Sequence, residues 1–165
     1  DVSDGVLTIE NKNKCGFLRS YKRDIKVILE YTSLSKINFI GAGLLSNSDT
    51  LKQSYLLVEG EGCSGDLNLL LKVDSIRITL HTGNSNVTLS GESSKAFFYS
   101  GGTTILHAEQ LISNEAFANN SGSGDFYLFA NSYLFAEVNQ EGSIFYAGNC
   151  NLDAHDNGKG EIAKR

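Results

Sequence analysis

Short apolar strands that each follow a turn of small residues recur along the chain from about residue 57 onward. The first apolar residue of each strand stands 18 to 21 residues after the previous one. These positions are Leu67, Val87, Ile105, Phe126, Ile144 and Ile162. A recurrence near 19 residues, with short strands and tight turns in each unit, indicates an all-β solenoid whose coils stack on one another. An antiparallel sandwich or barrel would need hairpin turns at irregular spacing, so the near-constant period disfavours it.

Alternation within the repeated strand predicts which side chains fill the interior. If the first apolar residue points inward, a second inward row lies two residues further on. That second row contains Leu69, Leu89, His107, Leu128 and Tyr146. The residues between the two inward rows then point outward. From coil to coil, these outward residues are Asn68, Thr88, Leu106, Tyr127, Phe145 and Ala163.

The outward row begins polar and becomes apolar along the chain. Leu106, Tyr127 and Phe145 are therefore expected to stack into an exposed ladder. Exposed apolar patches of this kind mark interfaces. We take these three residues as the candidate interaction patch. Its occupant is a partner molecule, a second copy in a weak homo-oligomer, or the N-terminal strands of the same chain.

The N-terminal third is less regular than the rest. We expect one solenoid domain over residues 1–165, with repeated coils over 57–165 and irregular strands over 1–56. Runs rich in β-branched residues predict strands at 6–9, 25–31 and 37–40. This part forms either the first coils of the solenoid or a hairpin that caps it.

Composition excludes several classes of function. The chain has 165 residues, with 14 Lys and Arg against 19 Asp and Glu, a formal charge of −5. A general nucleic-acid binder or a binder of anionic membranes would need an excess of basic residues. No stretch approaches 18 apolar residues, so no transmembrane helix is expected within this sequence. The chain contains no Met, and we expect Asp1 to follow a removed segment.

Cysteine and histidine give no sign of a metal or cofactor site. The three cysteines, Cys15, Cys63 and Cys150, form no Cys-x-x-Cys motif, and their odd number leaves at least one without a partner in the chain. They are expected to act as small buried apolar residues. The alternative, in an exported protein, is one disulfide, whose pairing the spacing does not give. The three histidines fall in separate repeats, without the spacing of zinc ligands. We therefore expect no metal site and no cofactor.

Acidic residues at one corner of different coils invite comparison with those of β-helical polysaccharide lyases and hydrolases. Asp66, Asp125 and Glu161 occupy this corner. Asp66 and Asp125 are three coils apart, or roughly 14 Å at the usual strand spacing. That separation is too large for the two carboxylates of a glycosidase. The two aspartates are instead expected to cap backbone amides in turns, and no catalytic residue is assigned.

Several glycine-rich segments, taken in order, resemble those of the head GIN domain family. They include Asp4–Ile9, Gly60–Gly62 followed by Gly65–Asp66, Ser121–Asp125, and Ser143–Asn149. The resemblance covers essentially the whole chain. It implies a right-handed parallel β-helix-like solenoid, which the spacing given above sets at about 18–21 residues per coil.

The resemblance also implies a location and a general role. Members of this family look like exported proteins, and the word adhesin is attached to them by analogy. This chain is therefore expected in the periplasm, at the outer membrane or on the cell surface. It is expected to be a non-catalytic interaction module that binds a protein or a glycan through a β-face. The alternative is a carbohydrate-active enzyme of the β-helix type, which would show a groove lined by clustered acids.

Overall fold

The computed structural model describes residues 2–10 and 25–165, and this part of the chain contains strands and turns but no helix. The chain divides into two compact units, residues 1–31 and 32–165. The strands are β1 (Val2–Ser3), β2 (Val6–Leu7), β3 (Lys36–Phe39), β4 (Leu44–Ser46), β5 (Leu51–Gly60), β6 (Asp66–Leu80), β7 (Asn86–Ser100), β8 (Ile105–Asn120), β9 (Phe126–Val138), β10 (Ile144–Ala147), β11 (Asn151–Asp156) and β12 (Ile162–Lys164).

In the first unit, β1 and β2 form a short antiparallel hairpin. Asp4 and Gly5 make its two-residue turn with φ angles of 49° and 78°. Positive φ at both central residues is the requirement of the tight hairpin turn that matches strand twist. The strand predicted at 25–31 is absent, because these residues pair with no neighbouring strand and are exposed. Alternating β-branched residues favour a strand only where another edge supplies the hydrogen bonds.

The second unit is a parallel β-solenoid of about six turns, which confirms the predicted fold class. Each coil contributes a strand segment to two columns, and equivalent residues in successive coils pair directly. The inward residues of the first column are Leu45, Leu67, Val87, Leu106, Phe126, Ile144 and Ile162. Those of the second column are Ile37, Val58, Ile78, Phe98, Ala118, Ala136 and Ala154. Strand β4 and the end of β5 thus form the coil before β6, and β3 belongs to the coil before that.

Stacking of the coils buries a continuous apolar interior. In the first column, the inward residues from Leu67 to Ile144 are at most 2% exposed. Burying one such side chain contributes about 1.5–3 kcal/mol. In the second column, the bulky Phe98 is followed by Ala118 and Ala136, so small neighbours accommodate its ring.

The inward register predicted for β8 was wrong by one residue. Val87 pairs with Leu106, not Ile105. Leu106 is 2% exposed and Ile105 is 38% exposed, so Leu106 belongs to the core and His107 faces outward. Period-two alternation cannot choose between two adjacent apolar residues. The choice follows from backbone pairing between coils, in which the Ile105 amide donates to the Ser85 carbonyl at 3.0 Å.

A buried polar side chain, Asn120, fastens the turn between β8 and β9. Its Nδ2 donates to the carbonyl oxygens of Gly124, at 2.8 Å, and of Ser143 in the next coil, at 3.2 Å. Its Oδ1 accepts from the Gly122 amide at 3.2 Å. Asn120 is completely buried, so its side-chain amide depends on these bonds for its hydrogen-bond partners.

Replacing Asn120 with alanine is expected to lower the free energy of unfolding by about 1–3 kcal/mol, because three backbone groups lose a buried partner. Equilibrium denaturation in urea measures the loss. The matched control is Asn84→Ala at an exposed turn position, which should change stability by less than about 0.5 kcal/mol. Equal losses in the two variants would contradict a special role for Asn120.

Candidate functional site

Outward-facing aromatic residues form two separate rows on the solenoid. The first row, here called the His107 ladder, consists of His107, Tyr127 and Phe145, which are consecutive partners in the first column. The rings of His107 and Tyr127 stack at 5.0 Å between centroids, and those of Tyr127 and Phe145 at 5.4 Å. The guanidinium carbon of Arg165 lies 3.7 Å from the Phe145 centroid.

The candidate patch from the sequence is therefore rearranged. Leu106 lies in the core, and His107 takes the outward position that the sequence analysis assigned to Leu106. Tyr127 and Phe145 do stand together, but Tyr127 is half-buried and Phe145 is only 9% exposed. Arg165 covers the end of this ladder through cation–π contact, so little apolar surface is open here.

The second row, here called the phenylalanine stripe, consists of Phe97, Phe117 and Phe135. They are paired in consecutive coils of the second column. All three are half-buried. They face outward because the positions flanking Phe97, Ala96 and Phe98, point into the core.

Neighbouring residues contact each ring of the stripe, and the rings of Phe97 and Phe117 stack on each other. Phe97 and Phe117 stack at 4.7 Å between centroids with an interplanar angle of 10°. The guanidinium carbon of Arg77 lies 4.9 Å from the centroid of Phe97, and the ring of His155 lies 5.2 Å from that of Phe135. The distance between the centroids of Phe97 and Phe117 is close to the spacing of neighbouring strands, so these two rings lie face to face along the column. Phe97 and Phe117 consequently present ring edges to solvent.

A shallow groove of about 410 Å³ runs beside the stripe. Its lining includes the stripe itself and, on the flank, Arg77, His81 and Tyr99. The rings of His81 and Tyr99 are in tilted contact at 5.6 Å. The residues that line this groove include no carboxylate, so it lacks the clustered acids expected of a polysaccharide-cleaving site.

Lys95, Glu115 and Tyr133 border the stripe on its other flank, and Asp153 follows Phe135 in the column of the stripe itself. Lys95 Nζ and Glu115 Oε2 are 3.1 Å apart. The Tyr133 hydroxyl donates to Asp153 Oδ2 at 3.0 Å, and His155 Nε2 lies 3.0 Å from Asp153 Oδ1. Desolvation, the hydrogen bond to Asp153 and the charge of that carboxylate together raise the pKa of Tyr133. Tyr133 therefore keeps its proton and remains a hydrogen-bond donor.

The acids singled out from the sequence have structural contacts at the corner they share. Asp125 Oδ1 accepts from the Ser143 amide of the next coil at 2.9 Å, as expected for a turn cap. Asp66 Oδ1 accepts from the Asn86 side chain at 3.0 Å. Within residues 2–10 and 25–165, no group of three or more His, Cys, Asp or Glu is arranged to hold a metal ion.

The described cysteines are free thiols. Cys63 is buried, Cys150 is half-buried, and Cys15 lies outside the described residues. In the same described portion, no helix has the length and apolar character needed to cross a bilayer.

Sequence reasoning missed the phenylalanine stripe, although its members recur 20 and 18 residues apart. At a corner in each coil, the alternation of inward and outward side chains shifts by one residue, so the second half of the coil follows a different register from the first. In β6, for example, Val73 and Ile76 both point inward, and two outward residues stand between them. A search for aromatic residues at the coil period, independent of parity, would have found the stripe.

Comparison with known proteins gives a matching family and similar solved structures, of which two are described here. Residues 1–150 match the family described as "Putative auto-transporter adhesin, head GIN domain". A "putative adhesin" from Bacteroides fragilis NCTC 9343 is 25% identical, with a TM-score of 0.76 over 81% of this chain and 61% of that one. A "putative lipid binding protein" from Parabacteroides distasonis ATCC 8503 is 23% identical, with a TM-score of 0.71 over 79% and 52%.

This chain thus spans about half to three fifths of the length of those two proteins. No curated protein matches it.

Proposed function

The chain belongs to the head GIN domain family, and from this premise we propose that it is a non-catalytic, adhesin-like binding module. Its place of action is outside the cytoplasm, in the periplasm, at the outer membrane or on the cell surface. The observation that carries the proposal is the phenylalanine stripe with its adjoining groove. A rigid parallel sheet holds these rings in a fixed array, which limits the ordering cost of binding.

The orientation of the rings favours a protein ligand over a glycan. A sugar that stacks on an aromatic residue needs an open ring face, and the ring of Phe97 is contacted by Arg77 from one neighbouring coil and by Phe117 from the other. The exposed edges carry partial positive charge and suit edge-to-face contact with aromatic side chains. Aromatic residues and arginine are also the residues enriched at protein–protein interfaces. Arg77 beside Phe97 supplies that combination.

Two other possibilities rank lower. The pair Tyr127 and Phe145 remains a secondary candidate surface, because Arg165 already covers Phe145. A β-helical polysaccharide lyase or hydrolase is the alternative of another class. It is disfavoured because the residues lining the groove include no carboxylate.

Binding through the stripe is tested by replacing its three phenylalanines together with serine. The wild-type protein is applied to a glycan array and to a panel of purified cell-surface and extracellular proteins that includes the chain itself. We expect signal on proteins and none on glycans, with at least a tenfold loss in the triple variant, because about a third of interface residues carry most of the binding energy. The matched control is Tyr127→Ser in the His107 ladder, which should retain binding.

Three results would contradict the proposal. Binding confined to glycans would exclude a protein ligand, and shortening of an arrayed glycan would indicate catalysis. Protein binding that survives in the triple variant, with its fold verified by thermal unfolding, would move the site away from the stripe.

A further inference from the structure

We infer that the phenylalanine stripe docks a second copy of this chain, in an antiparallel two-fold arrangement. The inference rests on the proposed function and names the partner of the same surface. It follows from the order of residues along one outward column. From coil to coil, that column reads Arg77, Phe97, Phe117, Phe135 and Asp153.

This column is self-complementary. In the five coils centred on Phe117, a cation stands at one end and a carboxylate at the other, with three apolar rings between them. Beyond Arg77 the column continues through Leu57 to Lys36. Phe117 is the middle residue, two coils from Arg77 and two coils from Asp153. At the usual strand spacing, Arg77 and Asp153 are therefore roughly 19 Å apart along the column. Arg77 is exposed, and the side chain of Asp153 is 49% exposed, so both can reach a partner.

A two-fold axis in the plane of contact, perpendicular to the column at Phe117, superposes these features. It places Arg77 of each copy opposite Asp153 of the other, and Phe97 opposite Phe135. Isologous contacts of this kind require a patch that complements itself. A parallel arrangement of the two columns would instead place Arg77 against Arg77, which electrostatic repulsion disfavours.

The outward columns on either side of the stripe are compatible with the same two-fold axis. Tyr99 and Glu137 lie in consecutive coils on either side of Asn119, so the axis brings the Tyr99 hydroxyl opposite a carboxylate. Glu115 shares the middle coil with Phe117 and would face its own copy. Its charge is compensated within each chain by Lys95 at 3.1 Å.

The size of the face predicts a weak association. Five coils and three outward columns span roughly 25 by 20 Å, or about 500 Å² per copy and 1,000 Å² in total. That area is at the lower end for specific interfaces. The net charge of −5 on each chain opposes self-association as well. We expect a dissociation constant on the order of 0.1 mM.

Charge reversal at the two ends tests the arrangement by sedimentation equilibrium, up to about five times the expected dissociation constant. Arg77→Asp and Asp153→Arg should each weaken self-association at least about tenfold, since each places like charges opposite each other. An equimolar mixture of the two variants should associate to within about threefold of wild type, because both facing pairs are then opposite in sign. The control is Lys52→Asp, an equal charge change at another exposed position, which should leave association unchanged.

The possible outcomes separate this inference from the proposed function. A wild-type chain that stays monomeric, or a mixture that is no tighter than its components, overturns the inference. If protein binding on the panel still depends on the stripe in either case, the proposed function stands. Thermal unfolding of each variant verifies its fold. Should a charge variant fail to fold, Phe117→Ser substitutes for it and must abolish self-association.

Discussion

Replacing Phe126 with alanine is expected to lower the free energy of unfolding by about 3–5 kcal/mol, the range for removing a large buried ring. Phe126 is 1% exposed and stands in the first column between Leu106 and Ile144. Its removal opens a cavity in the middle of the inward row, where rigid coils on both sides limit collapse. Equilibrium denaturation in guanidinium chloride measures the loss.

The neighbouring residue supplies the control for this prediction. Tyr127 is half-buried, and its side chain points out of the same strand. Tyr127→Ala should therefore cost clearly less than Phe126→Ala. An unchanged denaturation midpoint for Phe126→Ala would mean that the inward register of β9 is wrong by one residue.

A second large loss is expected from Gly91→Ala in β7. Gly91 has a φ angle of +108°, and a Cβ atom at this position would lie 1.9 Å from the carbonyl oxygen of Leu71. Strain at such a φ angle costs about 1–3 kcal/mol by itself. The overlap adds to it, because the carbonyl belongs to the paired backbone of the preceding coil. We expect a total of at least about 3 kcal/mol, measured by urea denaturation.

Gly41 offers a matched comparison, since it has a φ angle of +97° and a Cβ atom added there would meet only open space. Gly41→Ala should show only the backbone strain, about 1–3 kcal/mol. If both substitutions cost the same, contact between coils at Gly91 contributes nothing, and the explanation by close packing is wrong.

The fold was predictable because a single coil cannot bury its own apolar side chains. Each coil must stack on the next, so apolar residues recur in the sequence once per coil. Glycine turns and the apolar residues after them, such as Leu67 and Val87, indicated that period directly. Pairing of Leu67 with Val87 in adjacent coils confirms it. The exact inward residue at Ile105–Leu106 was not predictable from alternation, because both are apolar and coil lengths vary.

Two other features depended on contacts that the sequence does not encode locally. Residues 25–31 have strand composition, yet strand formation also needs a pairing edge. The outward direction of Phe97, Phe117 and Phe135 depends on the corner of each coil, where the alternation of inward and outward side chains shifts by one residue. Apolar residues on a solvent-facing row look the same in sequence as core residues, so the stripe required the three-dimensional register.

The similar spacing of paired residues in successive coils also bears on how the chain folds. Paired residues in successive coils of β6 and β7 are 20 positions apart in the chain. The loop closed by each new coil is therefore of nearly the same length, and its closure entropy is nearly the same at every step. The slow step is then formation of the first pair of coils, after which later coils add to a template already in place. Strands β6 and β7, with a long register free of shifts, are where such a nucleus would form.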